Sequence, residues 1–120
     1  MASFREVLEV LRRRVPETQV VMVLGSDGIP IEKLIVNRSV NQEMMAAEFA
    51  RLFRASSSAS NDTGVGGLAE LELHAEGLDV VMRTLTPDYF LFLALSPGAI
   101  VGRARFALRL AGLALESEFA

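Results

Sequence analysis

The side chains that could do chemistry are few and close together. Glu70, Glu72 and His74 fall two apart in the stretch Leu68–Ala75, and His74 is the single histidine of the 120 residues. Residues two apart share a face of an extended chain, so two carboxylates and an imidazole could act there as acid, base or ligands. The same pattern is how a sheet edge is guarded by charge. Just upstream, Ser56 to Gly67 is rich in serine and glycine, as phosphate-cradling loops are. Such a loop needs Lys-Ser or Lys-Thr after its last glycine, and here Gly67 is followed by Leu68-Ala69. The stretch reads as a mobile linker instead. With no cysteine and one histidine the chain lacks a zinc ligand set. It has no Gly-x-Ser-x-Gly elbow. These residues point away from an enzyme and imply no cofactor and no metal.

Composition narrows the field further. Hydrophobic residues make up 51% of the chain and the mean hydropathy is +0.34, high for one small domain spanning 1–120. No apolar run reaches the roughly 18 residues of a membrane span, so the surplus argues for contact with other chains. The first residues, Met1 to Glu6, have no signal-peptide core, and the lack of cysteine fits a reducing compartment. A net charge of −3 and a pI near 5.2 argue against general nucleic-acid binding. A cytoplasmic protein that self-associates is the reading of composition alone.

The elements that would position these residues follow from spacing. Ser3-Phe4-Arg5-Glu6 is a capping box, and Phe4, Val7, Leu8, Leu11 and Val15 follow at helical spacing until Pro16. Arg12-Arg13-Arg14 falls in the last turn, where positive charge suits the helix dipole. Val20 to Val36 reads as a hairpin with Asp27-Gly28 in a type I′ turn. Pairing Ser26 with Ile29 sets Leu24 opposite Ile31, Met22 opposite Lys33 and Val20 opposite Ile35. Pro30 then lies opposite Gly25, which suits only an edge strand. The first strand of the hairpin is apolar on both faces and should be central, with helices on both sides.

A second helix is expected from Gln42 to Ala55 or Ser58, with a cap at Ser39 or Asn41. Projected at about 100° per residue, Met45, Ala46, Phe49, Ala50, Leu52 and Phe53 span roughly 160°, where one sheet face needs only about 100°. The spare arc, with small Ala46 and Ala50 beside Phe53, would let another helix approach. Leu68–Ala75 then alternates as a half-exposed edge strand, with Leu71 and Leu73 on one face. Val80–Leu85 and Tyr89–Leu95 complete five strands, the last doubly covered. Ser96-Pro97 reads as the cap of a final helix from about Gly98 to Glu118. Val101, Ala104, Leu108, Ala111 and Leu115 form its core stripe, and Phe106, Leu110 and Leu113 a second stripe opposite. That second stripe could pack on the first helix or bind a partner. Arg103, Arg105 and Arg109 read as a solvated face.

The order of these elements, with several local phrases, resembles the Roadblock family over nearly the whole chain. The phrases are Phe4-x-x-Val7-Leu8, Val21-x-Val23-x-Gly25-Ser26-Asp27-Gly28-Ile29-Pro30, Met45-Ala46-Ala47, Gly67 with Glu70-Leu71, Leu91-x-Leu93-x-Leu95-x-Pro97-x-Ala99, and Val101-Gly102-x-Ala104-Arg105-x-x-Leu108-Arg109. The resemblance implies an α/β sandwich (α+β) of Roadblock/longin-like, profilin-like type, in the order α-β-β-α-β-β-β-α. Its five-stranded antiparallel sheet would carry the two terminal helices on one face and the middle helix on the other.

The resemblance also implies homodimers with sheets joined edge to edge and middle helices side by side. Ala46, Ala50, Phe53, Glu70, Leu71, Glu72 and Leu73 are then the expected dimer interface. Family members regulate or scaffold Ras-like small GTPases or sit in motor complexes, and bacterial ones include activators of a gliding-motility GTPase. Met44, Glu48 and Arg51, off the core arc, are the expected GTPase-partner surface. The expected function is a non-catalytic homodimeric regulator or scaffold for such a GTPase. A purely structural dimerisation module is the alternative, and a small-ligand sensor ranks last.

Overall fold

Two stretches of this chain are apolar on both faces, and burying both faces of a strand requires layers on either side of its sheet. A computed structural model, which describes residues 3–119, has that architecture. In chain order the elements are α1 (Phe4–Arg14), β1 (Thr18–Gly25), β2 (Pro30–Ile35), α2 (Gln42–Asp62), β3 (Glu70–His74), β4 (Asp79–Thr86), β5 (Tyr89–Leu95) and α3 (Val101–Leu115), with a 3-10 turn at Glu116–Phe119. The strands form one antiparallel sheet in the order β2-β1-β5-β4-β3. β1 and β5 are interior and β2 and β3 are the edges, as their hydrophobic patterns require.

Each face has its own core. On one, Leu8 and Leu11 of α1 and Ala104, Leu108 and Leu115 of α3 cover Val21, Val23, Val81, Leu91 and Leu93. On the other, Ala46, Ala50 and Phe53 of α2 cover Val20, Met22, Met82, Phe90 and Phe92. Phe53 stacks on Phe90 with ring centroids 4.1 Å apart and planes 6° from parallel, and Phe49 tilts against Phe92 at 5.2 Å. Thr18, buried at the start of β1, donates its hydroxyl to the Val15 carbonyl at 2.7 Å, which satisfies the polar group.

Several local expectations change. The hairpin register holds from Val20↔Ile35 to Val23↔Glu32, then shifts by a bulge so that Leu24 faces Pro30 rather than Ile31. The turn is a three-residue loop, not type I′. Gly25 accepts from Gly28 N at 2.9 Å and donates to Ile29 O at 3.0 Å, and only Gly28 takes positive φ. Asp27 instead accepts from Ile29 N through its carboxylate, which holds the loop without a left-handed aspartate.

In α1, Ser3 Oγ caps Glu6 N at 3.2 Å, but its own hydroxyl donates to the Glu6 carboxylate in place of the reciprocal backbone bond. The serine-rich segment to Asp62 is helix rather than linker. Extending an established helix costs little, and Ala55 and Ala59 favour it. It ends where Gly64, at φ +78°, donates to Asn61 O. At the other end of the chain, Ser96 bonds to the Glu17 carbonyl and Gly98 has φ +84°, so α3 starts only at Val101, without a side-chain cap.

Gly28 is held by both its φ of +87° and its neighbour, since a Cβ there would lie 3.3 Å from Ala47 Cα. Gly28→Ala should lower the unfolding free energy by about 1–2 kcal/mol, seen as a lower urea midpoint at unchanged slope.

Candidate functional site

The chemistry-bearing residues collect at the β3 margin of the sheet, and strand alternation decides which way each one faces. Leu71 and Leu73 pack toward α2 with the core of that face. Glu70, Glu72 and His74 take the opposite face, beside α3. There they form a continuous polar ladder. Glu70, 12% exposed at its side chain, accepts from Arg83 of β4 at 2.9 Å and from two nitrogens of Arg105 of α3 at 2.8 and 3.0 Å. Arg105 also reaches Glu72 at 3.2 Å. His74 sits 3.3 Å from Glu72 and 2.9 Å from Asp79, its cross-strand neighbour.

Electrostatics follow the geometry. Burial raises the Glu70 pKa, but the hydrogen bonds and charges of Arg105 and Arg83 outweigh it, so the net shift is downward from 4.5. The Asp79 hydrogen bond, then that of Glu72, raises His74 above its ordinary 6.5. Glu70 and Glu72 are paired with arginines and Asp79 with His74, so the ladder ties β3 to β4 and α3. By sequence alone Arg105 reads as a solvated charge. Its role shows only once topology puts β3 beneath the flank of α3. Among the described residues, no group of three or more His, Asp or Glu could hold a metal ion. No described helix is long and apolar enough to cross a membrane.

The backbone of β3 has one free side. Thr84 N donates to Ala69 O and Ala75 N to Leu78 O, which makes the odd-numbered residues those bonded to β4. The N–H and C=O groups of Glu70, Glu72 and His74 therefore point away from the sheet. Beside this edge, on the α2 side, Phe49, Leu52, Ala55 and Leu73 line an open groove of about 410 Å³ flanked by Glu48 and Arg51.

The structure splits the residues expected at an interface. Ala46, Ala50 and Phe53 are 2%, 0% and 6% exposed against their own sheet. In the single copy the domain's own sheet fills that part of the arc. Leu52, at the other end of the arc, is 36% exposed. Met44, Glu48 and Arg51 lie together at i, i+4 and i+7 on the outer face of α2, where Met44 is 62% exposed and Arg51 pairs with Glu48.

Two of the shifted groups of the ladder, Glu70 and His74, give opposite pH limits. The contribution of Glu70 is present above 4.5 and lost as pH falls through its lowered pKa. That of His74 is full below 6.5 and lost as pH rises through its raised pKa. Urea midpoints should show both contributions whole only from pH 4.5 to 6.5. Glu70→Gln should cost about 1 kcal/mol inside that window and blunt the acid limb, and His74→Asn should flatten the alkaline limb.

The family model of the Roadblock/LC7 domain matches residues 5–95. The structure superposes on a Roadblock/LC7 domain from Streptomyces avermitilis with a TM-score of 0.83 at 17% identity, covering 94% of each chain. The gliding protein MglB from Thermus thermophilus gives 0.84 at 17% identity, over 98% of this chain and 90% of that one. MglC from Myxococcus xanthus gives 0.70 at 28% identity, over 98% and 99%. No curated protein sequence matches. The family match spans well over half of the chain, and with it the element order, sheet and helix layers agree: the chain belongs to the Roadblock/LC7 domain family.

Proposed function

We propose that the protein is a non-catalytic homodimeric regulator or scaffold that binds a Ras-like small GTPase. The observation that carries the reading is an unpaired strand edge, β3, lying beside a groove and an exposed helix face with apolar residues on them. An edge strand with free backbone groups is a template for another strand. A second copy paired antiparallel would join even-numbered residues to even-numbered ones. Setting Glu72 against the second copy's His74 opposes unlike charges and brings the two Leu73 side chains together on the α2 side. Setting Glu72 against its own counterpart would oppose like charges. Phe49, Leu52, Leu71 and Leu73, with the edge atoms of Glu70 and Glu72, are the contact in this arrangement.

Paired in this way, two α2 helices flank the junction and present Met44, Glu48 and Arg51 twice on one surface. The likeness to gliding proteins such as MglB supports a GTPase partner for that surface. Met44 would be the apolar anchor and Arg51 a rim charge that mainly sets association rate and salt dependence. The ladder on the far face of β3 supports a regulator without chemistry of its own. The rival is a structural dimerisation module with no effect on nucleotide turnover.

The dimer is tested by sedimentation, where the mass should be twice the 13.1 kDa of the chain. Glu72→Pro removes an outward N–H and leaves the β4 ladder intact, so the folded protein should dissociate at least about tenfold more readily. A monomeric wild type would refute the reading. The partner is tested by titrating GTP-loaded Ras-like GTPases of the same genome against wild type and Met44→Asp. Met44→Asp should weaken binding at least about tenfold, and equal affinities would remove α2 as the surface. Hydrolysis measured with and without the protein separates regulator from structural module.

A further inference from the structure

The outer surface of α1 and α3 lies on the sheet face opposite α2 and takes no part in the proposed dimer or GTPase contact. Phe106 and Leu113 of α3 are 57% and 58% exposed, and Val10 of α1 is 39% exposed. Phe106, Leu110 and Leu113 stand at i, i+4 and i+7, so they form one ridge. Leu110, Val10 and Ala114 line the groove of about 210 Å³ between the two helices. A solvent-facing ridge of this kind costs solubility and usually marks a contact.

The charges around the ridge select its occupant. Arg103 and Arg109 stand three residues before and after Phe106, and Arg13 and Arg14 close the last turn of α1, all four exposed. Among the described residues none of these arginines forms an ion pair. Of the four, Arg14 lines the groove, beside the acid Glu6, and a second exposed acid, Glu116, follows Leu113 at the end of the ridge, so the four arginines face two carboxylates. In a chain of net charge −3 this face is locally cationic. We propose that the α1–α3 face docks an acidic amphipathic helix of another protein, with its apolar residues along the Phe106–Leu113 ridge and its carboxylates on Arg103, Arg109 and Arg14. A groove between two helices with anchors at these spacings is the geometry of helix-in-groove recognition. A second copy is disfavoured, because a two-fold contact would press this cationic rim against itself. The groove volume falls below the ≈ 300 Å³ at which small-molecule pockets begin.

The test uses two labelled helical peptides. One has leucines at i, i+3, i+4 and i+7 with glutamates elsewhere, and its twin has lysine for every glutamate. The acidic peptide should bind the full chain and shift amide resonances of α1 and α3, and added salt should weaken it. Leu113→Glu, and separately Arg103→Glu with Arg109→Glu, should each reduce affinity at least about tenfold. All three positions are exposed, so circular dichroism melts should match wild type. The proposal is overturned if the peptides bind equally or not at all, or if the shifts map to α2. It is overturned too if anionic phosphatidylserine vesicles retain the protein while the acidic peptide does not. A fall in assembly size caused by Phe106→Glu alone would mean a second copy covers the face, and would also overturn it.

Discussion

The structure depends on a mismatch of widths. Five strands about 4.8 Å apart make a sheet roughly 24 Å across, and packed helices lie about 8–10 Å apart. Two helices nearly cover one face. One helix cannot cover the other. Because β5 is apolar from Phe90 to Leu95 and buried throughout, both faces must be covered at the centre, and α2 sits there, over Met22, Phe90 and Phe92. The uncovered margin on that side then falls beside β3. The groove at Phe49, Leu52 and Leu73 follows from having three helices for two faces.

The two edges meet this constraint differently. β2 is closed by Pro30, by a bulge and by Arg5, which reaches across from α1 to the Lys33 carbonyl at 2.8 Å. β3 carries charge on one face, but that charge is neutralised within the domain by Arg83, Arg105 and Asp79. Unpaired like charges on an edge repel a second strand, and pairing weakens that repulsion without abolishing the preference for register. The ladder fixes β3 firmly to β4 and α3 and leaves its outward backbone groups the least protected part of the sheet.

Most of this frame was legible in residue type and spacing. Alternation at Leu71 and Leu73 identified an edge, unbroken apolar runs identified the centre, and Pro30 identified the second edge. What was not legible depended on competition between local signals. Asp27-Gly28 suits a type I′ turn, but the Asp27 carboxylate bonds to Ile29 N and the loop takes one more residue. Ser96-Pro97 suits a helix cap, but Ser96 is held by Glu17 across the sheet end. The breadth of the α2 arc was visible, but not how much of it the sheet would claim. Ala46, Ala50 and Phe53 lie under the helix because small residues let it settle onto the bulky Phe90 and Phe92, which leaves Leu52 at the rim. Arg105 shows the other limit: its partners lie 33 to 35 residues away and only the fold brings them near.

The same width argument explains why the hydrophobic excess of the chain splits into two surfaces. On the α2 side it lies in the gap beside a single helix. On the α1–α3 side the helices already cover the sheet, so Phe106 and Leu113 have nothing beneath them to cover and face outward. The sheet separates the two surfaces, with interior strands whose core side chains leave little freedom to deform. Occupying one surface therefore need not disturb the other. With both proposed contacts formed, a domain whose apolar surplus is divided across a stiff sheet would hold two different partners at once, a mechanical basis for scaffolding that requires no conformational change to transmit it.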